Sequence, residues 1–358
     1  MKWQTASNFL WGLRIGVEFL HLTSVEYKCF SKMCNQRMNV YVTRSDIPAI
    51  GLDVLKKDCN VTTWAKDVPV PRDELLREIV GKDAIFCTLT DKIDAEVIAR
   101  AGPQLKCIST MSVGYEHIDL SECKKRNIRV GFTPDVLTDA TAELTLALLL
   151  ATNRRLLEAN KAVYNGSWKS WAPNWMCGQS VKGSRVGIFG FGRIGQEVAA
   201  RIKPFKPCQL TYTTRTERPA EAEKLGAIYV DFNEMLHSSD FIIVCCSLTP
   251  DTKEVFNDAA FAMMKKNAIF INTARGGVVD QVSLYKALKE NRIKAAGLDV
   301  TTPEPLPLND PLLALNNVVI LPHIGSADTN TRIEMSRITA LNILAALREC
   351  DMVAEVKI

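Results

Sequence analysis

The amino-acid sequence lacks the patterns of a metal-binding, disulfide-bonded or membrane-spanning protein. It contains no C-x-x-C pair and no cluster of His and Cys, and its 11 cysteines are scattered at irregular spacings. We therefore predict reduced thiols of the cytoplasmic type and no metal site. No apolar run reaches the roughly 18–20 residues of a membrane span, so the sequence predicts no membrane partner.

An excess of charge of either sign is also missing. The net charge is +4 and no polybasic run is present, which argues against nucleic acid as a partner. Any preference for anions must then come from local sites. Hydrophobic residues make up 47% of the 358 residues. This content supports sizeable cores, and the length suggests about two domains.

One glycine-rich segment, residues 185–195, has the pattern of a dinucleotide-binding turn. Apolar residues with β-favouring side chains come first, and Gly190, Gly192 and Gly195 follow at G-x-G-x-x-G spacing. The first glycine permits a tight turn, the second lets the backbone approach a pyrophosphate, and the third packs a helix on the strand. The N–H groups of that helix then face the phosphates. The alternative is an ordinary turn between a strand and a helix.

Strand-like and helix-like segments alternate along the chain, which predicts an α/β fold with parallel sheets covered by helices. The predicted strands are 38–44, 84–88, 105–109, 128–131, 186–189, 210–213, 241–246, 268–272, 295–299 and 318–321. The predicted helices include 72–80, 95–101, a long helix from an N-cap at Thr138 to about Arg155, and an amphipathic tail helix at 331–348. Residues 1–37 read as an N-terminal extension of unknown role. A mitochondrial or other targeting segment is the weaker alternative there.

Several motifs carry a resemblance to a known family. They read I-N-T-A-R-G-G-V-V-D at 271–280, G-L-D-V-T-T-P-E-P at 297–305 and L-P-H-I-G-S at 321–326, and they join the glycines of 190–195. Together they resemble the D-2-hydroxyacid dehydrogenase family. Segments 109–114 and 132–143 are most similar to the branch of that family that reduces glyoxylate and hydroxypyruvate. The resemblance covers the chain from about residue 38 to residue 358.

The resemblance implies two Rossmann-like domains with parallel sheets and an active site in the interdomain cleft. It implies a substrate domain of residues 38–137 plus 329–358 and a dinucleotide-binding domain of residues 138–328. It further implies that NADPH reduces glyoxylate to glycolate and hydroxypyruvate to D-glycerate, and that the protein is a homodimer. We expect cytoplasmic localisation and small 2-keto or 2-hydroxy acids as the partners.

Reduction of a 2-keto acid requires a hydride donor, a proton donor, a cation near the carbonyl oxygen and a clamp for the carboxylate. His323 follows a predicted buried strand and suits the proton donor; Glu304 would orient its imidazole and favour the charged form. The planar fork of Arg275 suits a carboxylate together with the adjacent carbonyl oxygen. The resemblance implies that the N–H groups of Val113 and Gly114 hold the carboxylate. Taken singly, each of these features has a structural alternative. His323 could make only structural hydrogen bonds, Glu304 could be a solvated loop residue, and Arg275 could form a structural ion pair. The segment of Val113 and Gly114 could be an ordinary turn.

Other substrate contacts follow from the resemblance alone. It implies that Ser326 contributes to the substrate site and that Trp171 reaches the substrate pocket of a neighbouring subunit. Packing of both Trp168 and Trp171 in a core or an interface is the structural alternative. The resemblance gives His117 no role in proton transfer, so we treat it as structural.

Residues 211–218 bear on the choice of cofactor. An NAD site usually has Asp or Glu about 20 residues past the glycines, where this chain has Thr214 and Arg215. Hydroxyl groups with Arg215 and Arg218 can hold a 2′-phosphate, so we predict NADPH over NADH, with Glu217 pointing to solvent. In full, the expected cofactor residues are Gly190, Gly192, Arg193, Ile194, Gly195, Thr214, Arg215, Arg218, Ser247, Thr273, Arg275, Asp299 and Gly325. Among them, Asp299 could accept a hydrogen bond from the nicotinamide carboxamide.

Two alternatives remain open. Another member of the family, such as a phosphoglycerate dehydrogenase, would favour a basic phosphate pocket and often a regulatory domain, for which too few residues follow His323. A nucleotide-sensing binding protein, like the corepressors built on this fold, can keep the same motifs. Oxidation of a reduced nicotinamide by a keto acid distinguishes an enzyme from such a binding protein.

Overall fold

The structure is a computed structural model that describes residues 37–358. The predicted N-terminal extension, residues 1–37, lies outside the described residues except for Arg37. The described chain divides into two compact units. The first contains the residues up to Val136 together with Thr329–Ile358, and the second contains Leu137–Asp328.

The first unit is built on a five-stranded parallel sheet with the order β2-β1-β3-β4-β5. The strands are β1 (Met38–Val42), β2 (Cys59–Thr63), β3 (Ala84–Cys87), β4 (Cys107–Thr110) and β5 (Arg129–Gly131). All residues of β3 and β4 are buried, as in sheets covered by helices on both faces. The sequence does not predict β2, because it lies at the sheet edge and only Cys59 in it is buried.

Helices cover this sheet. They are Ala49–Asp58, Arg72–Glu78, Ala95–Ala101, Leu120–Lys125 and Thr329–Leu347. Two of them begin at an aspartate whose side chain accepts a backbone N–H of the first turn: Asp94 accepts from Val97, and Asp119 accepts from Glu122. Such caps satisfy N–H groups that have no partner within the helix.

The helix Thr329–Leu347 differs from the predicted amphipathic helix. Residues 342–347 are buried consecutively, on every side of the helix. The helix packs against the helix Ala49–Asp58 and against β3, β4 and β5 of the same unit, and Ser336 Oγ donates to Pro48 O at 2.9 Å. The prediction of a single apolar face is therefore wrong, because neighbours on opposite sides both exclude water.

The tail after this helix returns to the outer edge of β5. Val356 N donates to Val130 O at 2.8 Å, and Phe132 N donates to Ala354 O at 3.4 Å. The guanidinium of Arg129 binds the Glu355 carboxylate with two nitrogens, at 2.8 and 2.5 Å. The tail thus extends the sheet by a short antiparallel pairing.

The second unit contains a seven-stranded parallel sheet with the order β12-β11-β10-β9-β6-β7-β8. The strands are β6 (Arg185–Phe189), β7 (Gln209–Thr213), β8 (Ala227–Tyr229), β9 (Phe241–Val244), β10 (Ile269–Asn272), β11 (Ala295–Leu298) and β12 (Val318–Ile320). The central strands β9, β10 and β11 are wholly buried. Two parallel sheets with helices confirm the predicted α/β fold class. The order reverses between β6 and β9, and ligands of such sheets bind at the carboxyl ends of the strands near this reversal.

The helices of the second unit are Thr138–Asn153, Leu156–Tyr164, Arg193–Ile202, Pro219–Leu225, Phe232–Ser238, Asp258–Met263 and Gln281–Lys289. The predicted N-cap at Thr138 is wrong by one residue: Leu137 holds that position, and no side chain caps the helix. The predicted end near Arg155 marks a break, because Arg155 adopts φ +51° and a second helix follows it. The sequence does not predict that second helix.

Within residues 37–358, no helix is long and apolar enough to cross a bilayer. No group of three or more His, Cys, Asp or Glu side chains in the same residues is arranged to hold a metal ion. Every cysteine of this described part is a free thiol.

Candidate active site

The glycine turn of the second unit connects β6 to the helix Arg193–Ile202. Gly190 adopts φ +98°, and its N–H donates to Thr213 O at 2.8 Å. A Cβ on Gly195 would lie 2.1 Å from the Gly190 carbonyl oxygen, whereas a Cβ on Gly192 would meet no atom within 4 Å. No side chain caps the helix. The first N–H groups of the helix and the open space at Gly192 therefore fit the pyrophosphate of a dinucleotide.

This turn lies beside the end of β9, where the strand order reverses. A Cβ on Gly190 would lie 2.5 Å from Cys246 N, so the two chain segments are in close contact. The exposed Arg193 and the half-buried Ile194 begin the helix, and the exposed Ser247 follows Cys246. The structure thus groups these predicted cofactor residues, with Gly190, at one edge of the sheet.

The segment after β7 carries the residues that we expect to choose between the two cofactors. Thr214 is half-buried, while Arg215, Glu217 and Arg218 are exposed. The backbone N–H of Arg218 donates to the hydroxyl of Tyr212 at 3.1 Å. This bond holds the segment at the carboxyl end of β7 and leaves the arginine side chains at the surface.

Arg275 lies in a tight turn after β10. The Asn272 side chain spans the turn: its Oδ1 accepts Ala274 N at 3.0 Å and its Nδ2 donates to Arg275 O at 3.0 Å. Arg275 Nη1 donates to Ala274 O at 2.7 Å. A Cβ on Gly276 would lie 2.0 Å from Thr301 O, so this turn packs directly on the segment that leads to Glu304.

His323 and Glu304 form a hydrogen-bonded pair in which His323 Nδ1 lies 2.8 Å from Glu304 Oε2. The second carboxylate oxygen, Oε1, accepts Thr301 N at 3.0 Å. Both side chains keep a quarter to a third of their surface exposed, at 23% for His323 and 31% for Glu304. Because a carboxylate oxygen can only accept, Nδ1 carries a proton, and Nε2 is the nitrogen that remains for a substrate.

Asp299, at the end of β11, holds the turn that carries His323. Its carbonyl oxygen accepts His323 N at 2.8 Å. Its side-chain oxygens accept Ile324 N and Gly325 N, both at 2.8 Å. His323 itself adopts φ +56°, a conformation that a non-glycine residue keeps only where its surroundings enforce it.

The two carboxylates of this group differ in their pKa. Burial raises the pKa of Asp299 above its ordinary value, although the N–H groups of Ile324 and Gly325 oppose this shift. Burial also opposes ionisation of Glu304, yet the hydrogen bond and charge of His323, with a smaller effect of Arg275, bring its pKa below the ordinary value. Glu304 is therefore ionised at neutral pH and available as the partner of His323.

Three further predicted residues lie close to this group in the second unit. The Thr273 hydroxyl lies 2.8 Å from that of Thr145, which donates its own proton to Thr141 O. Thr273 is therefore the donor in this pair and keeps its lone pairs for another partner. Gly325 is buried and Ser326 is half-buried in the turn after His323.

Val113 and Gly114 follow β4 in the first unit. Among the described residues, the backbone N–H groups of Val113 and Gly114 have no hydrogen-bond acceptor. Both residues are half-buried. Two adjacent N–H groups of this kind can bind one carboxylate.

The aromatic segment after the helix Leu156–Tyr164 is at the surface of the second unit. The exposed fraction is 82% for Trp171, 56% for Trp168 and 84% for Tyr164. The core alternative for the two tryptophans is therefore wrong for this chain. Large exposed aromatic surfaces of this kind are typical of protein–protein contacts.

The structure brings His323, Glu304 and Asp299 into one hydrogen-bonded group and packs the turn of Arg275 beside it. The cofactor residues lie around the carboxyl ends of the strands of the same sheet. Val113 and Gly114 belong to the other unit, and Trp171 takes no part in the group. Sequence reasoning missed Asn272, whose signal is a side-chain amide at the last position of an apolar strand. It also missed that both Asp299 oxygens bind the turn of His323.

A family model for the D-isomer specific 2-hydroxyacid dehydrogenase NAD binding domain matches residues 146–325. The chain is 53% identical to the human glyoxylate reductase/hydroxypyruvate reductase, over 90% of this chain and 98% of the human protein. It is also 46% identical to a glyoxylate reductase of Thermofilum pendens, over 87% of this chain and 92% of that protein.

Solved structures have the same architecture. A protein from Thermus thermophilus matches with a TM-score of 0.83 and 41% identity, over 89% of this chain and 100% of that one. The NADPH-dependent glyoxylate/hydroxypyruvate reductase from Sinorhizobium meliloti, in complex with NADP and malonate, matches with a TM-score of 0.77 and 30% identity. That match covers 90% of this chain and 97% of the other.

Proposed function

The chain belongs to the D-isomer specific 2-hydroxyacid dehydrogenase family, and we propose that it reduces glyoxylate to glycolate and hydroxypyruvate to D-glycerate with NADPH. The observation that carries this proposal is the pair of His323 and Glu304, with Nδ1 and Oε2 2.8 Å apart, beside the turn of Arg275. The 53% identity to a human enzyme named for both substrates supports the choice of keto acids.

The pair of His323 and Glu304 supplies the proton of the reaction. NADPH, when bound, supplies a hydride to the carbonyl carbon. His323 donates the proton on Nε2 to the carbonyl oxygen as negative charge develops there, and the product is a neutral hydroxyl group. Glu304 retains the proton-bearing Nδ1 as its partner and stabilises the imidazolium before the transfer. Asp299 keeps the imidazole in place because it binds the backbone of the turn that carries His323.

Two kinds of donor orient the keto acid. The guanidinium of Arg275 binds the carbonyl oxygen and one oxygen of the adjacent carboxylate, and its charge stabilises the oxygen that becomes negative. The N–H groups of Val113 and Gly114 bind the carboxylate. Ser326 contributes a hydroxyl group on the same turn as His323.

The preference for NADPH rests on the residues after β7. Arg215 and Arg218 are exposed and carry positive charge toward the solvent, as a 2′-phosphate requires. Thr214 stands where an NAD site usually has a carboxylate that would repel the phosphate. Glu217 is exposed as well, so it can turn into solvent when a phosphate binds. NADP in the related Sinorhizobium meliloti enzyme is in line with this preference.

The homodimer and the compartment are further parts of the proposal. The exposed aromatic surface of Tyr164, Trp168 and Trp171 supports a contact with a second copy of the chain, in which Trp171 reaches the partner's substrate pocket. Cytoplasmic localisation rests on the free thiols that the sequence predicts.

The test is a spectrophotometric assay. Absorbance of reduced nicotinamide should fall when glyoxylate or hydroxypyruvate is added, faster with NADPH than with NADH. A phosphoglycerate dehydrogenase would instead act on the phosphorylated hydroxy acid and leave these two keto acids largely unreduced. A nucleotide-sensing protein would bind the cofactor, seen as a change in its fluorescence, without oxidising it.

A further inference from the structure

A chain of side-chain hydrogen bonds lies beneath the loop of Val113 and Gly114 in the first unit. His117 Nε2 lies 3.0 Å from Thr110 Oγ1, which lies 2.8 Å from Ser112 Oγ. Ser112 Oγ donates to the carbonyl oxygen of Gly114 at 2.6 Å. Thr110 and Ser112 are both buried, so water does not compete for these bonds.

The direction of every bond in this chain is fixed by its last member. A carbonyl oxygen can only accept, and a hydroxyl group has a single proton. Ser112 gives its proton to Gly114, so it must accept from Thr110. Thr110 gives its proton to Ser112, so it must accept from His117. The Nε2 atom of His117 therefore carries a proton.

His117 is itself held firmly at the other end of the chain. Its carbonyl oxygen accepts Ile93 N at 2.9 Å, and Asp119 N donates to Ile93 O at 2.9 Å. Ile118 N donates to Tyr115 O at 3.0 Å. The imidazole thus stands on a fixed backbone, while the loop at the far end contains Gly114, whose missing side chain leaves its peptide groups free to rotate.

We propose that His117 is a positioning residue, whose Nε2–H fixes the loop that binds the substrate carboxylate through Thr110, Ser112 and the Gly114 carbonyl. This inference rests on the proposed function, because it concerns the loop that holds the keto acid. The pinned carbonyl sets the plane of the peptide that follows Gly114. This bond anchors the carboxyl end of the loop, and the Ser112 hydroxyl spans the two preceding peptides, whose N–H groups on Val113 and Gly114 lack acceptors among the described residues. The loop thus keeps both N–H groups available to one carboxylate.

The decisive variant breaks the middle of the chain. Thr110→Val keeps the shape of the side chain and removes the hydroxyl group, so KM for hydroxypyruvate should rise about tenfold, as for a lost hydrogen bond to a charged group. The kcat and the KM for NADPH should change less than about threefold. The matched control is Thr133→Val: Thr133 is buried, its hydroxyl has no partner in the described residues, and the KM of this variant should stay unchanged.

Two variants of His117 test the donor itself. In His117→Gln the side-chain amide can still donate near the position of Nε2, so the KM for hydroxypyruvate should stay close to that of the wild type. In His117→Leu the donor is lost, and the KM should rise as in Thr110→Val. Equal KM values for wild type, His117→Leu and Thr110→Val would overturn the proposal, provided that the wild type reduces hydroxypyruvate.

Nuclear magnetic resonance of the wild type with nitrogen-15-labelled histidine gives a readout without turnover. The Nε2 signal of His117, assigned by its loss in His117→Gln, should have the chemical shift of a protonated nitrogen. In Thr110→Val the proton should no longer be held preferentially on Nε2. A deprotonated Nε2 in the wild type would overturn the inference. A wild type that reduces neither keto acid would refute the proposed function and the positioning role with it, while the spectrum would still decide the direction of the bonds.

Discussion

Asp299 accepts a hydrogen bond from the backbone N–H of His323, and its side chain accepts those of the next two residues, all at 2.8 Å. The turn around His323 is therefore held by a single residue of the neighbouring strand. Asp299 is 1% exposed, so these bonds are shielded from water. The position of the imidazole depends on this buried carboxylate as much as on Glu304.

The first prediction concerns Asp299→Asn. The amide has one acceptor oxygen and an NH2 group that can only donate, so either Ile324 or Gly325 loses its acceptor. The left-handed backbone of His323 is then less firmly held, and kcat for keto acid reduction should fall by about tenfold or more. Steady-state kinetics of keto acid reduction measure this fall in kcat. As a control, Asp231→Asn changes another aspartate that accepts a backbone N–H, and it should keep the wild-type kcat.

The second prediction concerns the proton donor. His323→Ala should lower kcat by about 100- to 10,000-fold, the usual contribution of a positioned acid, while the affinity for NADPH stays nearly unchanged. His237→Ala changes an exposed histidine of the helix Phe232–Ser238 and serves as the control. Reduction of hydroxypyruvate by His323→Ala at the wild-type rate near neutral pH would show that another group supplies the proton.

The third prediction concerns stability in acid. Folding lowers the pKa of Glu304 below its ordinary 4.5, so ionised Glu304 stabilises the fold at pH values above 4.5. This contribution is lost as the pH falls through the lowered pKa. The Tm of the wild type should exceed that of Glu304→Gln at pH 7, and the difference should shrink below pH 4.5. Glu223→Gln makes the same change at an exposed position and is the control. A difference that stays constant down to the lowest pH would contradict the assignment.

The fourth prediction concerns the cofactor. Thr214→Asp combined with Arg215→Ala removes a charge-assisted contact worth roughly 1.5–3 kcal/mol, or about 10- to 150-fold in affinity, and adds repulsion. The KM for NADPH should rise at least about tenfold, while use of NADH holds or improves. Ser180→Asp with Lys182→Ala makes the same charge change at exposed positions and should leave the preference intact. An unchanged preference in the first variant would mean that other residues recognise the 2′-phosphate.

The fifth prediction concerns assembly. The chain mass is 39.8 kDa, so light scattering should report about twice this value for a homodimer. Replacing the exposed Val163 and Tyr164 together by Asp should shift the mass toward one chain, because charged side chains oppose burial of the surface. The control Ser180→Asp with Lys182→Ala makes the same total change of two charges at exposed positions and should leave the dimer intact. A wild-type monomer with full activity would refute both the dimer and the role of Trp171.

Much of this architecture could be predicted from the sequence, because apolar strands and glycine spacing are local signals. The strands that end at Phe189, Thr213 and Asn272 are found where the apolar runs end. The edge strand β2 escapes prediction because partial burial gives it no apolar run. Short helices such as Asp258–Met263 escape it as well, since so few residues form less than two turns and show no clear period.

The candidate site likewise has residues that could be predicted from the sequence and residues that could not. His323, Glu304 and Arg275 stand in motifs that resemble a family, so their identity could be predicted. The partners that hold them could not. Asp299 binds the turn of residues 323–325, which returns to it only after folding, and a single sequence carries no signal for such a return. Asn272 binds backbone groups two and three residues ahead of it, but a lone Asn at the end of an apolar run does not by itself indicate that turn. The hydrogen-bond chain from His117 to Gly114 lies within residues 110–117, and it could not be predicted because the orientation of its hydroxyl groups depends on how this segment packs.

The tail that pairs with β5 occupies a sheet edge that could otherwise recruit a strand of another molecule. An outer strand of a parallel sheet presents unpaired N–H and C=O groups, which can recruit a strand of another molecule and start aggregation. Here Ala354 and Val356 already occupy those groups on β5, and the ion pair of Arg129 and Glu355 fastens the tail in place. Closure of this sheet edge therefore depends on a few residues that lie apart in sequence from those of the candidate active site.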